Sequence, residues 1–383
     1  MNRVWGRIAW LYALGVLAAA QLGKMSALAP LISVDMAMGL AVAGILISLL
    51  EIGGATLGFA AGMLVDRLGV ARVLLTGICL LVAGNLGESL STSVAWLIAW
   101  RVCEGAGYLS VVIAAPLLIF RTAPAQQRTV ALALWSSFVP VGFALGAMGS
   151  GLIADLFSWR AATLAWALMA GLMALISSRM AFAPSPTGQP RRLVLPGWRI
   201  WALTLAFGCW ASFAVGTIAL LPTFLVGQLG ASARVAGLVG GLSAFISVLG
   251  VALAAWLRHR RVRTGIWTTA AIVLPALMLI AAFRDGAGIV QVTVLMLMLN
   301  TVSGIYSGLA FAQLPVLART DAEMAVANGL TLQLGATGSL LGPPLFALCV
   351  EQWGWSGAAG AGALMSTLCL ALMQGARQAP VTR

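Results

Sequence analysis

Four charged residues are read as lying well inside long apolar runs: Lys24, Glu51, Arg101 and Glu104. A charge at the centre of a bilayer-spanning helix costs about 2.5–3.5 kcal/mol on insertion scales, so it persists where it is paired, hydrated or used. Arg101 and Glu104 are three residues apart and share a helix face, and Tyr108 follows one turn on. A rise of about 1.5 Å per residue places Arg101 about 10 Å and Glu104 about 15 Å into their run, Glu104 being near its middle. Lys24 is the only lysine among the 22 basic residues. Its compact ammonium can change charge state, whereas a guanidinium offers a fixed two-pronged fork. Together Lys24 and Arg101 have the chemistry to bind a carboxylate or another small anion. Glu104, caught between burial and the neighbouring Arg101, is the expected coupling site for a proton. Glu51, about 18 Å along its own run, is the second candidate. Two alternatives stand beside this: a purely structural cluster of two cations and two anions, and a Lys24 that snorkels to the outer surface.

The elements that must position these groups follow from composition. Of 383 residues, 61% are hydrophobic and 8% charged, and mean hydropathy is +1.01. A soluble chain carries about 25% charged residues. Soluble enzymes and nucleic-acid binders are therefore excluded despite the net charge of +12. A bilayer core needs about 20 apolar residues per helix. Twelve runs qualify: 8–33, 39–61, 72–90, 94–118, 129–153, 160–182, 200–226, 235–257, 265–283, 288–317, 325–349 and 355–375. The Pro- and Gly-rich stretch 184–198 separates an N-terminal bundle, 1–183, from a C-terminal bundle, 199–383. With a cytoplasmic N-terminus, seventeen basic residues fall on the inner face and three (Arg160, Arg234 and Arg284) on the outer. Both termini are then cytoplasmic, in a bacterial inner membrane. The run Arg258–Arg263 is an inner loop, not a nucleic-acid patch. Five scattered cysteines read as small buried hydrophobes, and a single His makes a multi-His metal site impossible.

Several motifs carry a family resemblance. The loop after the second run reads Gly62-Met63-Leu64-Val65-Asp66-Arg67-Leu68-Gly69-Val70-Ala71-Arg72. It resembles the G-x-L-x-D-R-x-G-R-R loop of the major facilitator superfamily, with Ala71 departing from the pattern. Arg101-Val102-Cys103-Glu104-Gly105-Ala106-Gly107 resembles the family's R-x-x-Q/E-G-x-G motif in the fourth helix. Gly142, Gly146 and Trp159 recur as Gly338, Gly342 and Trp355 at a constant offset, which marks an internal repeat. The resemblance implies an all-α membrane protein: twelve transmembrane helices in two pseudo-repeated six-helix bundles, with substrate between them near the midplane. It also implies a conformational latch at Gly62, Asp66, Arg67, Gly69 and Arg72, and close helix packing at Gly142, Gly146, Gly338 and Gly342. The run Ala115-Pro116-Leu117-Leu118 and the stretch from Trp135 to Gly146 are similar to the branch of cyanate and nitroimidazole-type transporters.

The second half offers neutral polar groups. Asn300, Ser303 and Ser307 share one helix face, with Gln333 in the next span and Trp210 as an aromatic wall. The expected substrate-binding set is Lys24, Arg101, Tyr108, Trp210, Asn300, Ser303, Ser307 and Gln333. The expected function is secondary transport of a small anion, coupled to protons through Glu104 and Glu51. The alternative is a proton-linked exporter of amphipathic drugs. Partners are a small anionic substrate, protons and the lipid bilayer, acting on a monomer without cofactor, metal or nucleic acid. No cluster of nucleophile, base and metal ligands supports an enzyme, and there is no Walker loop for ATP.

Overall fold

In hydrocarbon every backbone N–H and C=O must be satisfied within its own segment, so apolar runs of this length fold as helices. A computed structural model describes residues 2–58, 68–180, 195–284 and 286–376. The order is α1 (Asn2–Asp35), α2 (Leu40–Ser48), a 3-10 turn (Leu49–Glu51), α3 (Ile52–Leu57), α4 (Val70–Leu90) and α5 (Val94–Thr122). After a 3-10 turn at Ala125–Gln127 come α6 (Arg128–Trp135), α7 (Phe138–Leu156) and α8 (Trp159–Ser178). The rest are α9 (Trp198–Leu229), α10 (Ala233–His259), α11 (Thr264–Ala282), α12 (Ile289–Leu317) and α13 (Asp321–Ala376).

Among the described residues, eleven helical stretches are long and apolar enough to cross a membrane. The last, Val326–Ala376, holds 51 residues and two spans. Trp353 and Gly354 leave helical geometry inside it, and Gly354 has φ +65°, a conformation glycine takes without strain. The twelve expected spans are thus accounted for. The fifth run differs from a single helix. It breaks between α6 and α7, where the Ser137 hydroxyl bonds to Leu134 O at 2.8 Å and meets the Tyr12 hydroxyl at 2.9 Å, a side chain competing with the helical ladder.

The chain packs as two compact units: 1–53 with 60–189 and 219–245, and 54–59 with 190–218 and 246–383. Relative to the halves 1–183 and 199–383, these units exchange short segments. In the first, α1 lies along α7, and α4 lies along α5 and α8. The crossing of α1 and α7 leaves no room for side chains: a Cβ on Gly146 would sit 2.0 Å from Ala20 O, and one on Gly142 2.5 Å from Val16 O. In the second unit the same device recurs, with Gly338 against Gly208 O at 2.0 Å and Gly342 against Ser212 O at 2.4 Å. Outward faces are apolar, as the exposed stripe Leu164, Leu168, Leu172 and Leu175 on α8 illustrates. The outward environment is lipid, so an apolar residue need not be buried by protein. The cysteines accordingly differ from the expectation: Cys369 is buried, but Cys79 is exposed.

Candidate functional site

The first unit holds a closed ion cluster where α1, α4 and α5 converge. Lys24 Nζ donates to Asn85 Oδ1 at 2.8 Å, Glu88 Oε2 at 2.5 Å and Glu104 Oε1 at 2.8 Å. Those three bonds use all of the ammonium's protons. Arg101 donates to Glu104 Oε2 through Nη1, to Leu46 O through Nε at 2.8 Å, and to Gln21 O and Ile47 O through Nη2 at 3.1 and 3.2 Å. Asn85 Nδ2 donates to Glu104 Oε1 at 2.7 Å. Lys24, Asn85, Glu88, Arg101 and Glu104 are all 0% exposed. Such burial is tolerable because each cation meets both an opposite charge and further acceptors.

Glycines make this convergence possible. A Cβ on Gly84 would lie 2.8 Å from Glu104 Cβ, one on Gly107 2.7 Å from Gly77 O, and one on Gly105 3.0 Å from Leu49 O. The R-x-x-E-G-x-G motif therefore supplies both the ion pair and the small residues that press α5 onto α4 and onto the 3-10 turn. The carbonyls of Leu46 and Ile47 that receive Arg101 stand just before that turn, where helical geometry tightens.

Several expectations are corrected here. The set of charges inside the spans omitted Glu88, which lies within the run 72–90 and is central to the cluster. Asn85 and Glu88 are themselves i and i+3, the spacing that drew attention to Arg101 and Glu104. Lys24 does not snorkel: its stem is enclosed, and its three bonds point inward. Glu51 lies apart from the cluster and accepts from the Tyr108 hydroxyl at 3.2 Å.

In the second unit, Trp210 Nε1 donates to Ser303 Oγ at 2.7 Å. Trp210 also meets Phe207 and Tyr306 at ring separations of 5.0 and 5.8 Å, and Phe207 meets Phe311 at 5.1 Å. Trp210, Phe213, Pro275, Ser303, Ser366 and Cys369 enclose a cavity of ≈ 10 Å³, room for about one water. Asn300 and Ser307 turn back on their own helix, to Met296 O at 2.9 Å and Gly304 O at 3.0 Å. Gln333 Nε2 donates to Ala55 O at 3.1 Å. Of the expected set in this unit, Trp210 and Ser303 meet, whereas Asn300 and Ser307 bond within their own helix.

Of the latch residues, Gly62, Asp66 and Arg67 lie outside the described residues. Gly69 has φ +88° at the entry to α4, and Arg72 is exposed on its first turn. A different carboxylate acts as a clamp in the second unit. Glu323 accepts from the Arg319 amide at 2.8 Å and the Gly197 amide at 3.2 Å, while its own amide donates to Thr320 Oγ1 at 3.1 Å. The Arg319 and Gly197 amides hold its carboxyl below the usual carboxylate range. Thr320-x-x-Glu323 is a capping-box spacing that the sequence displayed and the reading overlooked. Among the described residues no group of His, Cys, Asp and Glu is placed to hold a metal ion.

Among the described residues, eleven long apolar helical stretches, a glycine packing device that recurs in both units, and charge hidden inside the first unit define a polytopic membrane protein. Residues 11–337 match the family described as the Major Facilitator Superfamily, and the chain belongs to that family. It is an integral membrane protein. It is 30% identical over 153 residues to a methylenomycin A resistance protein of Streptomyces coelicolor, covering 40% of this chain and 32% of that one. It is 36% identical over 98 residues to a probable multidrug resistance protein, EmrY, of Escherichia coli, covering 26% and 19%. A putative multidrug resistance protein, MdtD, of Cronobacter sakazakii is 32% identical over 164 residues, covering 42% and 32%. The chain thus spans a third or less of the length of these relatives. In fold it is similar to a bacterial homologue of the human lysosomal transporter Spinster, solved inward-facing and unoccupied. The TM-score is 0.79 at 18% identity, over 98% of this chain and 92% of that one.

Proposed function

We propose that this transporter exports amphipathic, drug-like compounds in exchange for protons, in a bacterial inner membrane with both termini cytoplasmic. The observation that carries the reading is that the protein itself engages nearly every donor of the two intramembrane cations. Every Lys24 proton is engaged by protein, and Arg101 is engaged through all three of its nitrogens. An anionic substrate, the expectation from residue types alone, finds at most one N–H there without an acceptor, the second on Arg101 Nη1, and that side chain is fully buried. The similarity to proteins named for antibiotic and multidrug resistance points the same way. Secondary transport needs no bound cofactor, only a group that trades protons with water, and the buried carboxylates of the first unit supply the candidates: Glu104, Glu51 and, from the cluster, Glu88.

The test is transport in everted vesicles from a host lacking its own drug pumps. A pH gradient, acid inside, should drive ethidium uptake that collapses with a protonophore. Uptake of small mono- or dicarboxylates, with no response to ethidium, would replace this reading with anion transport.

A further inference from the structure

We infer that Glu88, not Glu104, is the carboxylate that takes and releases the coupling proton; this rests on the proposed reading of proton-linked export. The two carboxylates sit in one cluster yet are held very differently. Glu104 uses both oxygens: Oε1 accepts from Lys24 at 2.8 Å and Asn85 at 2.7 Å, and Oε2 accepts from Arg101. Three donors, two of them charged, fix it as an ion. Glu88 accepts from Lys24 through Oε2 at 2.5 Å, but its Oε1 accepts no hydrogen bond and stands 3.9 Å from Arg101 Nη1. That oxygen is buried and has a vacant lone pair. For a fully buried oxygen, an unmatched acceptor is what a proton satisfies.

The surroundings agree. From α1, Lys24 faces Glu88; from α5, Glu104 and Arg101 face it. From α8, which also packs on α4, the charged residue is Arg160, and it is engaged elsewhere, with Asp35 at 2.6 Å and Ser91 O at 3.2 Å. With both carboxylates ionised the four charges balance, but two anions lie side by side. One proton from water added at Oε1 of Glu88 removes that repulsion and leaves one excess positive charge on Lys24 and Arg101. No other bond forms or breaks, and the reverse step returns the proton to water on the other side. Neutralising Glu88 weakens the Lys24–Glu88 bond, so the α1–α4 contact is the one the proton loosens, with Lys24 still held to α4 through Asn85. Glu104 keeps α1 and α5 together throughout.

Two measurements decide this. The first needs no substrate: infrared difference spectra of purified protein between neutral and acidic pH. Above the bands of the chain's other carboxyls, a component from one buried carboxyl should appear in the protonated C=O stretch of wild type and of Glu104→Gln and be missing from Glu88→Gln. Should Glu88→Gln fold poorly, Lys24→Gln/Glu88→Gln, in which the remaining charges balance, should lack that component as well. A component that persists in both Glu88 variants, or that Glu104→Gln abolishes, overturns the assignment. The second is ethidium transport in proteoliposomes. One unit of pH is worth about a factor of ten in accumulation per proton exchanged. Wild type should approach it, whereas Glu88→Gln should fall to no accumulation while keeping ethidium–ethidium exchange. Gradient-driven accumulation in Glu88→Gln would also overturn the assignment. Wild type that fails to move ethidium refutes the export reading instead, and the infrared band still decides Glu88.

Discussion

Replacing Lys24 by Met should be among the most destabilising single changes in the protein. The variant keeps the length of the side chain and deletes the ammonium. Three hydrogen bonds of 2.5–2.8 Å vanish, and Glu88 and Glu104 are left with Arg101 as the one remaining cation of the cluster. Every group involved is fully buried, so water cannot substitute. Removing one partner of such a pair costs about 3–5 kcal/mol, mostly as an uncompensated charge. The surface pair Arg160–Asp35, at 2.6 Å but about 40% exposed, is the internal control. Arg160→Ala should cost about 0–1 kcal/mol. Lys24→Met/Glu88→Leu restores charge balance with apolar groups and should recover most of the loss, since such replacements are often neutral. The assay is equilibrium unfolding in mixed micelles followed by the fluorescence of the 14 tryptophans. A Lys24→Met loss of about 1 kcal/mol or less, similar to Arg160→Ala, would mean that the cluster is hydrated and would refute the reasoning.

Gly146→Ala should destabilise by about 1–3 kcal/mol, because its Cβ meets the Ala20 carbonyl at 2.0 Å and backbone cannot rotate away. Gly171→Ala, with nothing within 4 Å, should be neutral or stabilising by about 0.4–1 kcal/mol; the same unfolding assay ranks the two. Tyr108→Phe should cost only about 1 kcal/mol. The Tyr108–Glu51 separation of 3.2 Å is long for a charge-assisted O–H···O⁻ bond, which runs about 2.5–2.7 Å, so a loss well above about 2 kcal/mol would mark Glu51 as ionised. The Glu323 clamp should depend on pH in one direction. Its carboxyl is held low in the folded protein, so its contribution is present at neutral pH and is lost as the pH falls through that lowered range. Hydrogen exchange at the Gly197 and Arg319 amides should accelerate on acidification and in Glu323→Gln at neutral pH; exchange that ignores both would remove the clamp.

How much of this was legible in the sequence differs by kind of signal. Spans were readable because a bilayer demands long apolar runs and nothing else supplies them. The repeat was readable because Gly142/Gly146 and Gly338/Gly342 do one physical job twice, letting a neighbouring helix backbone approach to contact. The Arg101–Glu104 pair was readable because a helix fixes what i and i+3 residues can touch. Glu88 was missed although the same rule applies to Asn85 and Glu88, since its place near the end of a run resembles a loop charge. Saturation of Lys24 was not readable at all: it depends on three helices meeting at Gly84, Gly105 and Gly107. Residue type told which groups were present but not whether their donors were free, and the anion reading rested on that freedom.

The direction of coupling follows from the same geometry and can be measured on wild type. An anion that sought Lys24 would have to displace Glu88 or Glu104. Those carboxylates lost their translational freedom on folding, while a free ligand has yet to lose about 4–15 kcal/mol of it. Such an anion gains entry only once a proton has neutralised Glu88, so proton and anion would bind together. A lipophilic cation has the opposite relation. It is repelled by the excess positive charge of the protonated cluster and favoured when Glu88 is ionised, so proton and cation exclude one another. The first linkage is symport and the second is antiport. Ethidium binding to purified wild type should therefore strengthen as the pH rises, and Glu88→Gln, locked in the neutral form, should bind weakly with the pH dependence gone. Binding that weakens with rising pH in wild type would mean that proton and cation bind together, and would refute the antiport linkage.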